Sequence, residues 1–102
     1  MVSIVNERRA ELERLCRLHH VRRLELFGSA AAGVDRPGKS DLDFLVEFEP
    51  LEPGARADSY FGLLEDLERL FERPVDLVVY GAIKNPYFRQ SVDQTKSLIY
   101  AA

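Results

Sequence analysis

Residues Leu26–Glu47, LFGSAAAGVDRPGKSDLDFLVE, decide how the rest of the chain is read. An apolar run closes at Gly28-Ser29, a segment of small residues and glycine follows, and Asp41-Leu42-Asp43 opens a second apolar run. Leu42, Phe44 and Val46 alternate with Asp41, Asp43, Leu45 and Glu47, which predicts a strand. Two carboxylates one residue apart at its start share a face and lie about 7 Å apart along the chain. Hard oxygen donors so placed suit a divalent cation. The Gly-Ser ahead of them suits a phosphate: Ser29 is placed to N-cap a helical turn through the alanines, whose first backbone N–H groups would meet an anion.

Upstream, Val21, Leu24, Leu26 and Phe27 interleave with Arg22, Arg23 and Glu25, a short strand ending at Gly28. Before it, Val5, Leu12, Leu15 and Leu18 recur among charged residues and predict an amphipathic helix over about residues 3–19. His19 and His20 close that helix, where a cation complements the C-terminal end. Adjacent histidines do not share a helical face and no other His exists, so a metal site there is not expected.

Downstream, Pro50, Pro53 and Gly54 form a connection, and Asp58 or Ser59 caps a helix with Phe61, Leu64, Leu67 and Leu70-Phe71 inward. Pro74–Tyr80 is the most strand-like run, and Gly81 breaks it. Asn85-Pro86 pairs an N-cap with a proline at the first helical position, opening a last helix to about Tyr100 with Phe88, Val92 and Leu98 or Ile99 inward. The expected fold is α+β with α/β character: a small mixed sheet with helices mainly on one face.

The 102 residues suit one domain spanning 1–102, and 46% apolar with 30% charged residues is a globular composition. The net charge, 14 minus 17 or −3, leaves no basic excess for long nucleic acid, so a small substrate or a protein partner is the easier expectation. No run approaches the roughly 20 apolar residues of a membrane span, and the N-terminus has no signal-peptide core. The single cysteine, Cys16, excludes an internal disulfide, agrees with a cytoplasmic location, and sits beside Leu12 and Leu15 as a packing residue.

Asp76 is the lone acid inside Pro74–Tyr80. Taken alone it reads as a strand-start residue reaching solvent, because an unpaired buried charge is costly. Beside Asp41 and Asp43 on a neighbouring strand it becomes a third ligand, and three carboxylates with room for phosphate oxygens describe a Mg²⁺ site. A pair of such ions about 3.5–4 Å apart would activate an incoming hydroxyl and clamp a leaving pyrophosphate. One competing motif is Gly33–Ser40, which matches the P-loop pattern G-x-x-x-x-G-K-S. A P-loop needs a strand directly before it and a helix directly after, whereas strand periodicity follows here. Lys39 is then a loop cation near the nucleotide, or a solvated one.

Taken together, Leu26-Phe27-Gly28-Ser29, Ser40–Val46 and Val75-Asp76-Leu77-Val78 resemble the signature of the DNA polymerase β-like nucleotidyltransferase superfamily. More narrowly, the chain is similar to the minimal, MNT-type members, a likeness that extends to Asn-Pro-Tyr-Phe-Arg and the closing Leu-Ile-Tyr. The resemblance implies Mg²⁺-dependent transfer of AMP from ATP, with Asp41, Asp43 and Asp76 as catalytic and metal-binding residues. Gly28 and Ser29 would hold the triphosphate, with Lys39 and Ser40 as further candidate nucleotide contacts. It also implies a partner, a HEPN-domain ribonuclease toxin, for which the MNT protein is the antitoxin and, in some systems, adenylylates a tyrosine. Two departures stand out: eleven residues separate Ser29 from Asp41, one more than is typical, and Ala30 stands where family members often carry Arg. The alternative from another class is an antitoxin that neutralises its toxin by binding alone, with a silent site. Tyr87 and Tyr100 are candidate docking anchors in either case.

Overall fold

Alternation of apolar and charged residues over Val21–Phe27 produces strand β1 in the computed structural model, which describes residues 3–28 and 42–102. Helices α1 (Ser3–Glu7) and α2 (Arg9–Leu18) precede it. Strand β2 (Leu42–Phe48) and helix α3 (Pro53–Phe71) follow, then β3 (Val75–Val79), a 3₁₀ turn at Tyr80–Ala82, α4 (Pro86–Thr95) and β4 (Ser97–Ala101). The strands form one mixed sheet in the order β3-β2-β1-β4. Strand β1 runs antiparallel to both neighbours, whereas β2 and β3 are parallel, with α3 as the crossover between them.

Register decides which side chains share a face. Leu24 and Leu26 of β1 pair with Val46 and Phe44 of β2, and these pair onward with Val79 and Leu77 of β3. This face carries the main core, closed by Leu12 and Cys16 of α2 and by Leu63, Leu67 and Phe71 of α3. The opposite face holds a smaller cluster, Phe27, Leu45, Ile83 and Val92, beneath α4. The expected α+β mixed sheet with helices mainly on one face is what forms. Leu45 falls on the second face and is buried there rather than facing water with the acids it alternates among.

Several local expectations are corrected. The N-terminal helix is broken at Arg8 into α1 and α2, and the Arg9 guanidinium ties the start of α2 to the Ile99 carbonyl of β4 at 2.8 Å. Helix α3 begins at Pro53 rather than at Asp58 or Ser59: Pro sits in its first turn, where no intrahelical N–H is needed. Its buried stripe is Ser59, Leu63, Leu67 and Phe71, with Leu64 and Leu70 packed at the margin, and Phe61 is 62% exposed. The last helix stops at Thr95, and the segment read as its end is β4, which pairs with β1 and buries Ile99. Asn85 does cap α4, its Oδ1 accepting from the N–H groups of Tyr87 and Phe88.

His19 is a structural bridge. Its Nε2 lies 2.7 Å from the Asp66 carboxylate of α3, and Gly62 makes the approach possible, because a Cβ there would sit 2.7 Å from His19 Cε1. Cys16 is fully buried, and burial, with Glu13 adding to it, pushes its thiol up to about 12, as suits a packing residue. No helix among the described residues is long and apolar enough to cross a membrane.

Candidate functional site

The antiparallel ladder pairs Phe27 with Asp43, and the parallel ladder pairs Asp43 with Asp76. Laterally paired residues point to the same side, and neighbouring strands lie about 4.8 Å apart. Phe27, Asp43 and Asp76 therefore form one row across the sheet at the margin of the smaller cluster. Asp43 is half-buried, and Asp76, second residue of β3, is exposed, so the charge of Asp76 keeps its contact with water. Asp76 is thus at once a strand-start acid reaching solvent and the lateral neighbour of Asp43.

Gly28 ends β1 in the left-handed region, with φ of 75°. A side chain there would be strained, and its Cβ would run into the Asp43 carboxylate, whose Cγ would be only 3.2 Å away. The glycine thus leaves the space that the Asp43 side chain fills. Its N–H donates to Thr95 Oγ1 at 3.3 Å, and that hydroxyl donates in turn to the Ser91 carbonyl at 3.1 Å. The end of β1, the first residue of the Gly-Ser pair and the last turn of α4 are joined in this way.

A second anchor approaches Asp76 from the other side. Tyr60 of α3 donates its hydroxyl to the Leu77 carbonyl at 2.6 Å. Burial and the charge of Asp76 raise its pKa above the ordinary value of 10, so the hydroxyl keeps its proton. One helical step pair further along, Glu68 accepts the Val75 N–H at 3.1 Å. Two α3 side chains therefore occupy outward-facing backbone groups of the edge strand on either side of Asp76. Next to Tyr60 an open groove of about 720 Å³ runs along β3, lined by Leu77, Val79, Ile83, Asn85 and Phe88 among others. Asp76 is not on its wall, although its sequence neighbour Leu77 is.

Ser29, Lys39, Ser40 and Asp41 lie outside the described residues, as does the Gly33–Ser40 motif. The chain is in β2 from Leu42, two positions past the last residue of that motif, so the helix a P-loop requires does not follow it. Tyr87 is 81% exposed at the start of α4, whereas Tyr100 lies on β4 and packs against the edge of the main core. Sequence reading did not find Thr95 or Tyr60, since neither belongs to a motif and both reach the site through packing alone.

As to metal, no three His, Cys, Asp or Glu side chains converge among the described residues. Asp43 and Asp76 form a pair of hard oxygen donors on one face, with Asp41 two positions upstream of Asp43 in sequence. That donor set, beside a glycine whose missing side chain makes room for one of the carboxylates, fits Mg²⁺.

Residues 9–99 match the family model described as the nucleotidyltransferase domain, and the chain belongs to that family. "Putative protein adenylyltransferase MJ0128" of Methanocaldococcus jannaschii is 39% identical over 82 residues, which are 80% of this chain and 78% of the relative. A solved structure described as a "putative minimal nucleotidyltransferase" is 32% identical with a TM-score of 0.75, over 94% of this chain and 93% of the other. A toxin-antitoxin structure with AMP-PNP superposes with a TM-score of 0.69 at 22% identity, over 92% of this chain and 73% of the other. A tri-AMPylated Shewanella oneidensis HEPN toxin in complex with MNT antitoxin gives a TM-score of 0.64 at 19% identity, over 96% and 73%. At such identities these last two show a shared fold. The expected superfamily, fold and nucleotidyltransferase class are borne out.

Proposed function

We propose that this chain is a minimal nucleotidyltransferase domain over its 102 residues that transfers AMP from ATP to a tyrosine hydroxyl of a HEPN-domain toxin, and so acts in the cytoplasm as that toxin's antitoxin. The observation that carries the reading is the in-register pairing of Asp43 with Asp76 beside Gly28. Further support comes from the relatives, one named as a protein adenylyltransferase and one seen with an AMPylated HEPN toxin.

In this reading Asp41, Asp43 and Asp76 would hold Mg²⁺, which when bound neutralises phosphate charge and lowers the pKa of the acceptor hydroxyl. The hydroxyl oxygen forms a bond to the α-phosphorus of ATP, the bond from that phosphorus to the bridging oxygen breaks, and pyrophosphate leaves. The acceptor proton passes to Asp76 or to solvent, since Asp76 is the exposed carboxylate of the pair. Gly28 and Ser29 hold the triphosphate, with Lys39 and Ser40 as the remaining contacts from the chain.

The test is intact-mass measurement of a HEPN-domain protein encoded alongside, incubated with this protein and Mg²⁺-ATP. One or more AMP units are expected on the partner, and none with Asp43→Asn, which removes the charge and keeps the shape. A stable complex whose partner gains no mass would make the protein a binding antitoxin with a silent site.

A further inference from the structure

Gly28 and its neighbour Ser29 are assigned above to the triphosphate, and the usual way for a glycine to serve an anion is to offer its N–H. Here that N–H is already engaged. It donates to Thr95 Oγ1 at 3.3 Å, across 67 positions of sequence. The hydroxyl has one proton, and that proton is directed back along α4 to the Ser91 carbonyl at 3.1 Å, with the Val92 carbonyl at 3.5 Å. Its lone pairs are therefore what Gly28 meets, and the polarity of the contact is set by the helix.

The surroundings give the contact leverage. Helix α4 is seated under the end of β1 by Phe27, which packs edge-on against Phe88 with ring centroids 6.1 Å apart and shares a cluster with Val92. Thr95, one turn beyond Val92, thus reaches a strand end whose position is already fixed by packing. At that end the Gly28 backbone is left-handed and lies against the Asp43 carboxylate. Rotation of the Gly28 peptide would change both the direction of the chain into Ser29 and the space left for Asp43.

We infer that Thr95 is a positioning residue for the nucleotide site: its Oγ1 holds the Gly28 N–H and so sets the strand-end backbone that receives the triphosphate. Gly28 then serves the nucleotide through its conformation and its missing Cβ, not by donating its own N–H. This role rests on the nucleotide-site reading above. It belongs to a residue outside the motifs, on the element that sequence reading carried past its true end.

The experiment compares wild type with Thr95→Val, which keeps the branched shape and removes the acceptor, and Thr95→Ser, which keeps the acceptor and removes the methyl. Two readouts are taken: amide exchange at Gly28 by NMR without nucleotide, and the KM for ATP together with kcat. Thr95→Val should exchange Gly28 about tenfold faster and raise the KM about tenfold with kcat nearly unchanged, while Thr95→Ser stays near wild type. A merely structural threonine would lower the melting temperature and leave the KM alone. If Thr95→Val binds ATP as wild type does, or if Thr95→Ser is impaired equally, the role is overturned and the reading of the site survives. A wild-type protein that binds no ATP overturns that reading, and this role with it.

Discussion

The two faces of the sheet are built to different specifications. On the face covered by α2 and α3, fifteen of the described residues are buried in one continuous cluster, with Leu12, Leu24, Phe44, Leu63 and Leu67 wholly removed from water. On the face under α4, the cluster among the described residues has four buried members, and the same face bears Asp43, Asp76 and the buried Glu25. A carboxylate row could not sit inside the first cluster, where desolvation would cost several kcal/mol for each ionised group. At the margin of the second it keeps contact with water. Folding free energy is therefore drawn mainly from one face, which leaves the other open to polar chemistry. Substitutions on the two faces should then separate loss of stability from loss of activity.

The largest effect is expected at Gly28→Ala. The added Cβ meets the Asp43 carboxylate and a backbone φ of 75° that L-residues rarely adopt. Displacing one carboxylate of the pair should lower the proposed AMP transfer by about 10²–10³-fold, the range seen when one preorganised group is lost. The backbone strain adds roughly 1–3 kcal/mol of destabilisation. Steady-state transfer and urea unfolding measured side by side check both halves. Unaltered transfer in a folded variant would detach Gly28 from the site and dissolve the contrast between the faces.

Leu24→Ala probes the other face. Leu24 lies between Val46 of β2 and Tyr100 of β4 and is fully buried. Its truncation should cost about 2–5 kcal/mol, read as a lower urea midpoint with an unchanged m-value. At temperatures where the variant remains folded, its KM for ATP should match wild type. A changed KM would mean that the main core and the site are not separable through β1.

The same contrast explains what the sequence disclosed. Strands β1 and β2 are legible because each mixes apolar and charged residues in a short run bounded by glycine, aspartate or proline. A two-residue period alone would put both acids of Asp-x-Asp on one face, and of the two only Asp43 lies among the described residues. Asn85-Pro86 announces α4 through local cap chemistry, which needs no tertiary partner. Three features resist. Pro53-Gly54 reads as a turn, yet proline in the first turn of a helix is equally regular, and that is where α3 begins. Ser97–Ala101 continues a helical spacing from Val92, but its Leu-Ile-Tyr run is recruited as a strand by the open edge of β1. The direction of Leu45, and with it the existence of a second cluster, depends on α4 returning across the sheet. Thr95 is hidden for the same reason, since its function lies in that return.

The smallest effect tests how α4 is held on the site face without a large core. Near its C-terminal end Asp93 accepts from the Tyr80 hydroxyl at 3.1 Å and from Lys96 at 3.2 Å, and Arg89 and Lys96 lie 5.1 and 5.0 Å from the centre of the Tyr80 ring. The Lys96 hydrogen bond, then that of Tyr80, holds the Asp93 carboxyl below its ordinary value of 3.8, while Lys96 is raised above 10.5 chiefly by the same bond. A carboxyl depressed in the folded state contributes stability above its unfolded pKa and loses it as the pH falls through the folded one. A raised lysine contributes below its unfolded pKa and loses it as the pH climbs through the folded one. The pair should therefore help across the whole neutral range and fail at both extremes, weakly, because both side chains are solvent-accessible and salt screens them. Urea unfolding of wild type and Asp93→Asn should show a small, constant gap from about pH 6 to about pH 5 that closes towards about pH 3. The lack of any gap at about pH 6 would assign the hold on α4 to the cations stacked on Tyr80, which both proteins keep, rather than to the carboxylate. The site face would then be fastened by aromatic packing from Phe27 to Tyr80, a thinner version of the arrangement on the opposite face.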